Sequence, residues 1–105
     1  MPDILSNLNS KVFAEQLHSK FKTCPTGSET LELELAEVVD HPAAPQMECF
    51  SLFFLGPASP LLRQGTRKLV HLQLGAMELF LTPVALGPEG ATYEAVFHRY
   101  LKPTP

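Results

Sequence analysis

The chain has 105 residues, of which 45% are hydrophobic and 18% charged, and its formal net charge is −3 at pH 7. This length suits one domain with one core and excludes two, and so much apolar sequence at so low a net charge excludes an intrinsically disordered chain. The basic residues never cluster beyond Arg67 and Lys68, so the sequence also predicts no nucleic-acid partner.

The N-terminal sequence predicts the compartment. It has no basic start followed by an apolar run, which a secretory signal needs, and no window approaches the roughly 20 apolar residues of a membrane span. We therefore expect a cytoplasmic protein that makes no membrane contact. Cys24 and Cys49 are too few for a disulfide framework or a four-thiolate zinc site, so both are predicted to be buried thiols.

The first predicted element is a helix over about residues 10–19. Val12, Phe13 and Leu17 fall on one side of a helical period, and Asn9 precedes them as a residue type that caps helix N-termini. A helix that starts there would present one apolar stripe to the rest of the protein.

Thr30–Val39 carries the clearest strand pattern. Leucines at 31, 33 and 35 alternate with glutamates at 32 and 34, which in a strand places the leucines on one face and the carboxylates on the other. Paired carboxylates also serve in acid-base catalysis, but the strict alternation with leucine favours a solvated strand face. A shorter strand is predicted before it, at residues 20–23.

Cys49–Leu55 is the predicted central strand because both of its alternating faces are apolar. Phe50, Leu52 and Phe54 point one way and are predicted to lie in the core, whereas the other face has Ser51 as its one polar residue. A strand of this kind is typically covered on both sides. We therefore expect the core on one side and a helix or a partner on the other.

The segment Gly56–Gly65 is the longest predicted loop and holds the candidate interaction residues. Its two adjacent leucines are followed by two polar residues, and loops of this length are often functional. One interpretation is a loop that binds a partner, and the other is that both leucines tuck beneath the sheet as a plug. The protein-interaction candidates are Leu61, Leu62, Arg63 and Gln64.

The C-terminal half predicts three further strands. Residues 66–74 and 76–84 form a predicted hairpin around Gly75, and a Gly-Pro-Glu-Gly turn at 87–90 leads into the last strand, 91–100. The residues predicted to share one face of that strand are Tyr93, Ala95 and Phe97.

Together these elements predict a mostly β (α+β) fold. Five or six short antiparallel strands would form a small β-barrel or a bent meander sheet, with one N-terminal helix. The single predicted domain spans residues 1–105, with its β-rich core at about 20–100 and a loose tail at 101–105.

The sequence contains no recognisable catalytic motif. Its four histidines have no metal-ligand spacing, a glycine-rich phosphate loop and a G-x-S-x-G elbow are absent, and Cys49 lies in the most apolar run of the chain, where thiols are unreactive. We therefore predict no enzyme activity and no catalytic, cofactor-binding or metal-binding residues.

Several short motifs carry a resemblance to a known family. They are G-P at 56–57, Q-G-T at 64–66, H-x-x-L-G at 71–75 and Y-E-A-V-F at 93–97. In this order they resemble an uncharacterised family of small bacterial proteins, whose members are often encoded beside proteins like the collar fibres of phage tails. The resemblance implies a bacterial protein and no catalytic residues. This chain has Arg63 and Gln64 where the family commonly has a proline before Gly65.

Two functions are compatible with this sequence. The favoured one is a non-enzymatic structural or protein-interaction module for adaptor or assembly roles, whose partner is a tail-fibre-like protein or a second copy of the chain. The alternative is a small-ligand-binding or catalytic barrel with a pocket at its mouth, lined by His71, Glu94 or His98. A flat apolar patch would favour the first, and a closed cavity with convergent polar groups the second.

Overall fold

The computed structural model describes residues 8–23, 30–59 and 61–100. Cys24 and the predicted tail at 101–105 lie outside these ranges. One short helix precedes six strands, and a mostly β fold with one N-terminal helix is thereby confirmed. The elements are α1 Ser10–Ala14, β1 Lys20–Thr23, β2 Leu31–Asp40, β3 Met47–Gly56, β4 Gly65–His71, β5 Gly75–Gly87 and β6 Gly90–Tyr100.

All neighbouring strands pair antiparallel, and the sheet closes on itself in the order β1-β2-β3-β6-β5-β4. The closing pairs join β1 to β4 at Phe21↔His71 and Lys22↔Val70. The strand order differs from that of a simple meander, because β3 pairs with β6 and β4 pairs with β1. Two three-stranded meanders therefore form the ring.

The helix is shorter than its sequence pattern predicts. Asn9 caps it, since its side-chain oxygen accepts a hydrogen bond from the Val12 N–H at 2.9 Å. The predicted end at residue 19 is wrong, because the chain leaves the helix to join β2. His18 has a φ of 69° and its N–H donates to the Leu35 carbonyl at 2.7 Å. This bond to β2 replaces the last helical turn.

The core fills the inside of the ring, with Phe13 of α1 packed against it. The predicted inner positions of β3 are confirmed, since Phe50, Leu52 and Phe54 are all fully buried. Phe50 stacks on Phe97 with centroids 4.6 Å apart, and Phe54 meets Phe21 edge-on at 5.1 Å. Each fully buried side chain of this size contributes about 1.5–3 kcal/mol. The core residues of β2 and β6 are Leu31, Leu33, Leu35, Ala91, Tyr93, Ala95 and Phe97.

The sequence predicts that the outward side of β3 is covered by a helix or a partner, and the structure differs at this point. Cys49 and Phe53 are half-buried and Leu55 is 44% exposed. Within residues 8–23, 30–59 and 61–100, β3 packs against its neighbours β2 and β6, and α1 packs against β2, so neither a helix nor a strand lies over this side. Cys49 is thus not the buried thiol that the sequence predicts, because it points outward opposite His98.

Across the described part of the chain, no helix is long and apolar enough to cross a membrane.

Candidate functional site

The outward side of β3 and its two neighbours presents apolar side chains with polar residues between them. The strand register places Ser51 between Val39 of β2 and Val96 of β6. One row further along the sheet, Phe53 lies between Glu37 and Glu94, and in the next row Leu55 lies between Glu34 and Thr92. We define the outer patch as the four apolar side chains of these rows, which are Val39, Phe53, Leu55 and Val96.

A polar network lies beside the outer patch. The Ser51 hydroxyl is fully buried, donates a hydrogen bond to Glu94 Oε2 at 2.7 Å and lies 2.8 Å from His41 Nε2. Because a carboxylate only accepts hydrogen bonds, the Ser51 proton points to Glu94 and His41 Nε2 donates to Ser51. The backbone N–H of His41 also donates to the Cys49 carbonyl at 2.9 Å. The network therefore holds the loop after β2 against the sheet.

This arrangement of Ser, His and Glu differs from a nucleophilic triad. In a triad the histidine lies between serine and acid and removes the serine proton. Here Ser51 lies between His41 and Glu94, and its proton goes directly to the carboxylate. Full burial also keeps the Ser51 oxygen away from any substrate. The role of the network is therefore to hold the loop after β2 in place. The network was not predicted from the sequence, although Ser51, a single serine in an otherwise apolar strand, was a signal for it.

A second candidate site is a groove at one end of the ring, beside the closing seam. This groove has a volume of about 420 Å³. Of the predicted pocket residues, His71 lines it, whereas Glu94 borders the outer patch and His98 lies on the outward side of β6 opposite Cys49. The three residues therefore do not converge, since His71 is buried at the end of β4, whereas Glu94 and His98 lie four residues apart on the outward side of β6. The lining residues are Gln16, Ser19, Lys20, Lys22, Val70, His71, Leu72 and Gln73.

His71 uses both of its ring nitrogens within the protein. Its Nδ1 accepts hydrogen bonds from the backbone N–H groups of Gln73 and Leu74, both at 3.1 Å. The proton of the neutral ring is therefore on Nε2, which donates to Ser19 Oγ at 2.8 Å, and Ser19 in turn donates to the Gln16 carbonyl. Burial lowers the pKa of His71. His71 thus acts as a neutral structural residue that joins β4, its turn and the segment after α1.

The glutamates of β2 point outward, as the leucine alternation predicts. Glu32 is exposed, and Glu34 contacts Lys20 Nζ at 3.1 Å and His18 Nδ1 at 3.2 Å. Hydrogen bonds from Lys20 and His18 lower the pKa of Glu34. Glu34 is therefore a surface partner of Lys20 and His18 rather than half of a catalytic carboxylate pair.

The structure separates the two leucines of the Gly56–Gly65 loop. Leu62 is 2% exposed, and its backbone N–H donates to the Tyr93 hydroxyl at 2.8 Å, so it plugs the ring and is not available to a partner. Leu61 is 46% exposed, and Arg63 and Gln64 are exposed beside it. The two adjacent leucines therefore have different environments.

Among residues 8–23, 30–59 and 61–100, no three His, Cys, Asp or Glu side chains lie close enough together to hold a metal ion.

Comparison with known proteins identifies the family of the chain. Neither a curated protein nor a solved structure matches the chain. A family described as a domain of unknown function (DUF6916) matches residues 8–97, a range that contains all seven structural elements except the last three residues of β6. The match covers most of the sequence, and the chain therefore belongs to the DUF6916 family.

Proposed function

We propose that the chain is a non-enzymatic protein-interaction module that serves in an assembly and binds a protein partner through its outer patch. The observation that supports this proposal is the apolar outward side of the central strand, over which no described helix or strand packs. Val96 is 59% exposed and Leu55 44% exposed. Contiguous apolar side chains of this kind commonly mark interaction sites.

The charges around the outer patch favour one kind of partner surface. Phe53 lies between two carboxylates, Glu37 on β2 and Glu94 on β6. An apolar centre with an acidic border complements a partner that has an apolar centre and a basic border. The partner is therefore expected to contribute Lys or Arg side chains next to the aromatic ring of Phe53.

The Gly56–Gly65 loop supplies a second candidate contact. Leu61, Arg63 and Gln64 remain available to a partner because they are exposed. Leu62 is no longer an interaction candidate because its side chain belongs to the core. The loop follows β3 directly, so a partner seated on Leu55 would also approach this segment.

The resemblance seen in the sequence indicates which partner to test first. It points to a bacterial protein of a family often encoded beside fibre proteins like those of phage tails, and a tail-fibre-like protein is therefore the first candidate. A second copy of the chain is the other candidate partner. Cytoplasmic location is predicted on the sequence alone.

The test is binding of a purified tail-fibre-like protein encoded beside the chain, compared between variants. Val96→Ser removes apolar surface from the outer patch, and Leu72→Ser is the matched control because Leu72 is 98% exposed at the β4–β5 turn, outside the patch. We expect Val96→Ser to weaken binding about 30-fold, which corresponds to the roughly 2 kcal/mol of an interface hot spot. Leu72→Ser should bind like the wild type. Equal binding by all three proteins would contradict the outer patch as the binding surface.

The groove beside His71 supports the alternative of a small-ligand-binding protein. Its lining includes Lys20 and Lys22 together with Val70 and Leu72. Such a lining favours an amphipathic anion. Decanoate is a suitable probe, and stabilisation of the wild type that is lost in Lys22→Ala would support this alternative. An unchanged melting temperature of the wild type at saturating decanoate would contradict this alternative.

A further inference from the structure

Part of β5 has a free edge. β4 pairs with β5 from His71↔Gly75 to Gly65↔Leu81 and goes no further. β5 continues from Thr82 to Gly87 with β6 as its partner on the other side. In the described ranges, no backbone hydrogen bond joins this continuation to the loop that precedes β4.

The free edge is exposed and apolar. All four residues of Val84–Gly87 are exposed, with Val84 at 48% and Leu86 at 64%. We call this stretch the β5 edge. Natural sheet edges are commonly protected by charges, prolines or bulges. Residues 82–88 contain no charged side chain, and Pro83 and the register shift beside it lie at the start of this range.

Pro83 explains where the β5 edge begins. A proline has no N–H to donate to a neighbouring strand, and the register between β5 and β6 shifts between Pro83 and Ala85. Pro83 lies two residues beyond Leu81, the last residue of β5 that pairs with β4, so its missing N–H disfavours extension of that pairing. The residues beyond Pro83 keep their N–H groups, and an antiparallel ladder turns alternate residues towards and away from the one neighbour. Some peptide groups of the β5 edge therefore face solvent.

We propose that the β5 edge of a second copy of this chain pairs antiparallel with the β5 edge, across a two-fold axis. This inference rests on the proposed interaction function and names a partner and a mode of contact for it. A two-fold axis places each segment opposite its own copy, so the segment must be complementary to itself. Antiparallel pairing gives each outward N–H a carbonyl of the other copy, and strand addition at a free edge is a common mode of recognition.

The charge pattern favours a second copy as the occupant. In a two-fold arrangement, a charged residue near the axis faces a like charge, which destabilises cross-strand pairs. The outward residues of β1 and β2 would meet this penalty, since they include Lys20 and Lys22 on one strand and Glu32 and Glu34 on the other. Val84–Gly87 avoids it and brings apolar Val84 and Leu86 side chains together.

The size of the β5 edge limits the expected affinity of the dimer. Stable protein interfaces bury about 1,600 Å² in total, and two four-residue strands bury less. The dimer is therefore weak and depends on protein concentration. Sedimentation equilibrium of the full chain from micromolar to millimolar concentration is the measurement that detects it.

The decisive variant is Leu86→Lys, which places a like charge on each side of the axis. We expect its dimerisation to be at least about tenfold weaker, because two like charges near the axis replace an apolar contact. Leu72→Lys is the matched control, since Leu72 is 98% exposed at the turn between β4 and β5. Both sites are exposed, so both variants should melt like the wild type, and Leu72→Lys should dimerise like it.

A third variant separates this inference from the proposed function. Val96→Lys changes the outer patch and should leave the dimer intact. Loss of the dimer in Val96→Lys with retention in Leu86→Lys would overturn the edge pairing and still agree with binding by the outer patch. A wild type that is monomeric at every concentration would also overturn it. Hydrogen exchange gives a direct readout, because the β5 edge amides should gain protection as the protein concentration rises, and no gain would count against the pairing.

Discussion

Phe54 is the residue that best shows how the two faces of β3 differ. It is fully buried and meets the Phe21 ring at an interplanar angle of 80°. Phe54→Ala is expected to lower the free energy of unfolding by about 3–5 kcal/mol, since it removes a buried ring and leaves a cavity. Urea unfolding measures this loss. Phe53→Ala, on the half-buried outward face of the same strand, is the matched control and should cost less. A loss below about 1 kcal/mol for Phe54→Ala would contradict its place in the core.

His71 makes the stability of the protein depend on pH. Burial lowers its pKa in the folded protein, while the unfolded chain keeps the ordinary pKa of about 6.5. The unfolded chain therefore binds the proton more readily, so the contribution of His71 is complete above about pH 6.5 and is lost as the pH falls below it. A proton on Nδ1 would also face the N–H groups of Gln73 and Leu74.

The pH dependence can be isolated with His71→Gln, which removes the titrating group. We expect the difference in unfolding free energy between wild type and variant to shrink from pH 8 to pH 5, by at most about 1.4 kcal/mol per pH unit. Urea unfolding at several pH values provides this difference, and contributions from carboxylates such as Glu34 cancel in it. Parallel pH profiles for the two proteins would show that His71 does not titrate differently on folding.

At the scale of elements, the loop between β3 and β4 has two separable roles. Leu62→Ser should lower the free energy of unfolding by roughly 1.5–3 kcal/mol or more, because it places a hydroxyl where a buried leucine packs. Leu61→Ser should change stability by at most about 0.5 kcal/mol, since it lies at an exposed position. Thermal melts of the two single variants distinguish the roles. Equal losses would contradict the different burial of the two leucines.

The same comparison tests the loop as a contact for the partner. If Leu61 contributes to binding, Leu61→Ser should weaken binding of the tail-fibre-like protein while the melting temperature stays unchanged. Unchanged binding would restrict the interaction to the outer patch. Leu62→Ser is unsuited to this purpose, because its loss of stability affects the whole ring.

At the scale of the whole molecule, closure of the ring depends on its shortest strand pairing, between β1 and β4. β1 and β4 share two residue pairs, whereas β3 and β6 pair along the whole of β3, from Met47↔Tyr100 to Gly56↔Ala91. Phe21 and His71 form one of the two closing pairs, with ring centroids 4.5 Å apart. The pH dependence predicted for His71 therefore concerns closure of the ring and not a local contact alone.

The sequence by itself determined the approximate positions of the strands and which residues of β2, β3 and β6 face the core. Alternation in β2 and β6 placed Leu33 and Tyr93 inside the ring, the wholly apolar face of β3 placed Phe54 there, and all three are fully buried. Side-chain direction in a strand has a period of two, so it follows from local order alone.

Only the tertiary structure decided which strands meet and where local patterns stop. The apolar spacing of α1 extends beyond Ala14, but the bond between His18 and Leu35 ends the helix. Pairing of β3 with β6, and with it the contact of His41 and Glu94 through Ser51, joins residues far apart in sequence. Such contacts depend on how the whole chain closes its core, because no local periodicity encodes a partner that lies in a distant part of the sequence.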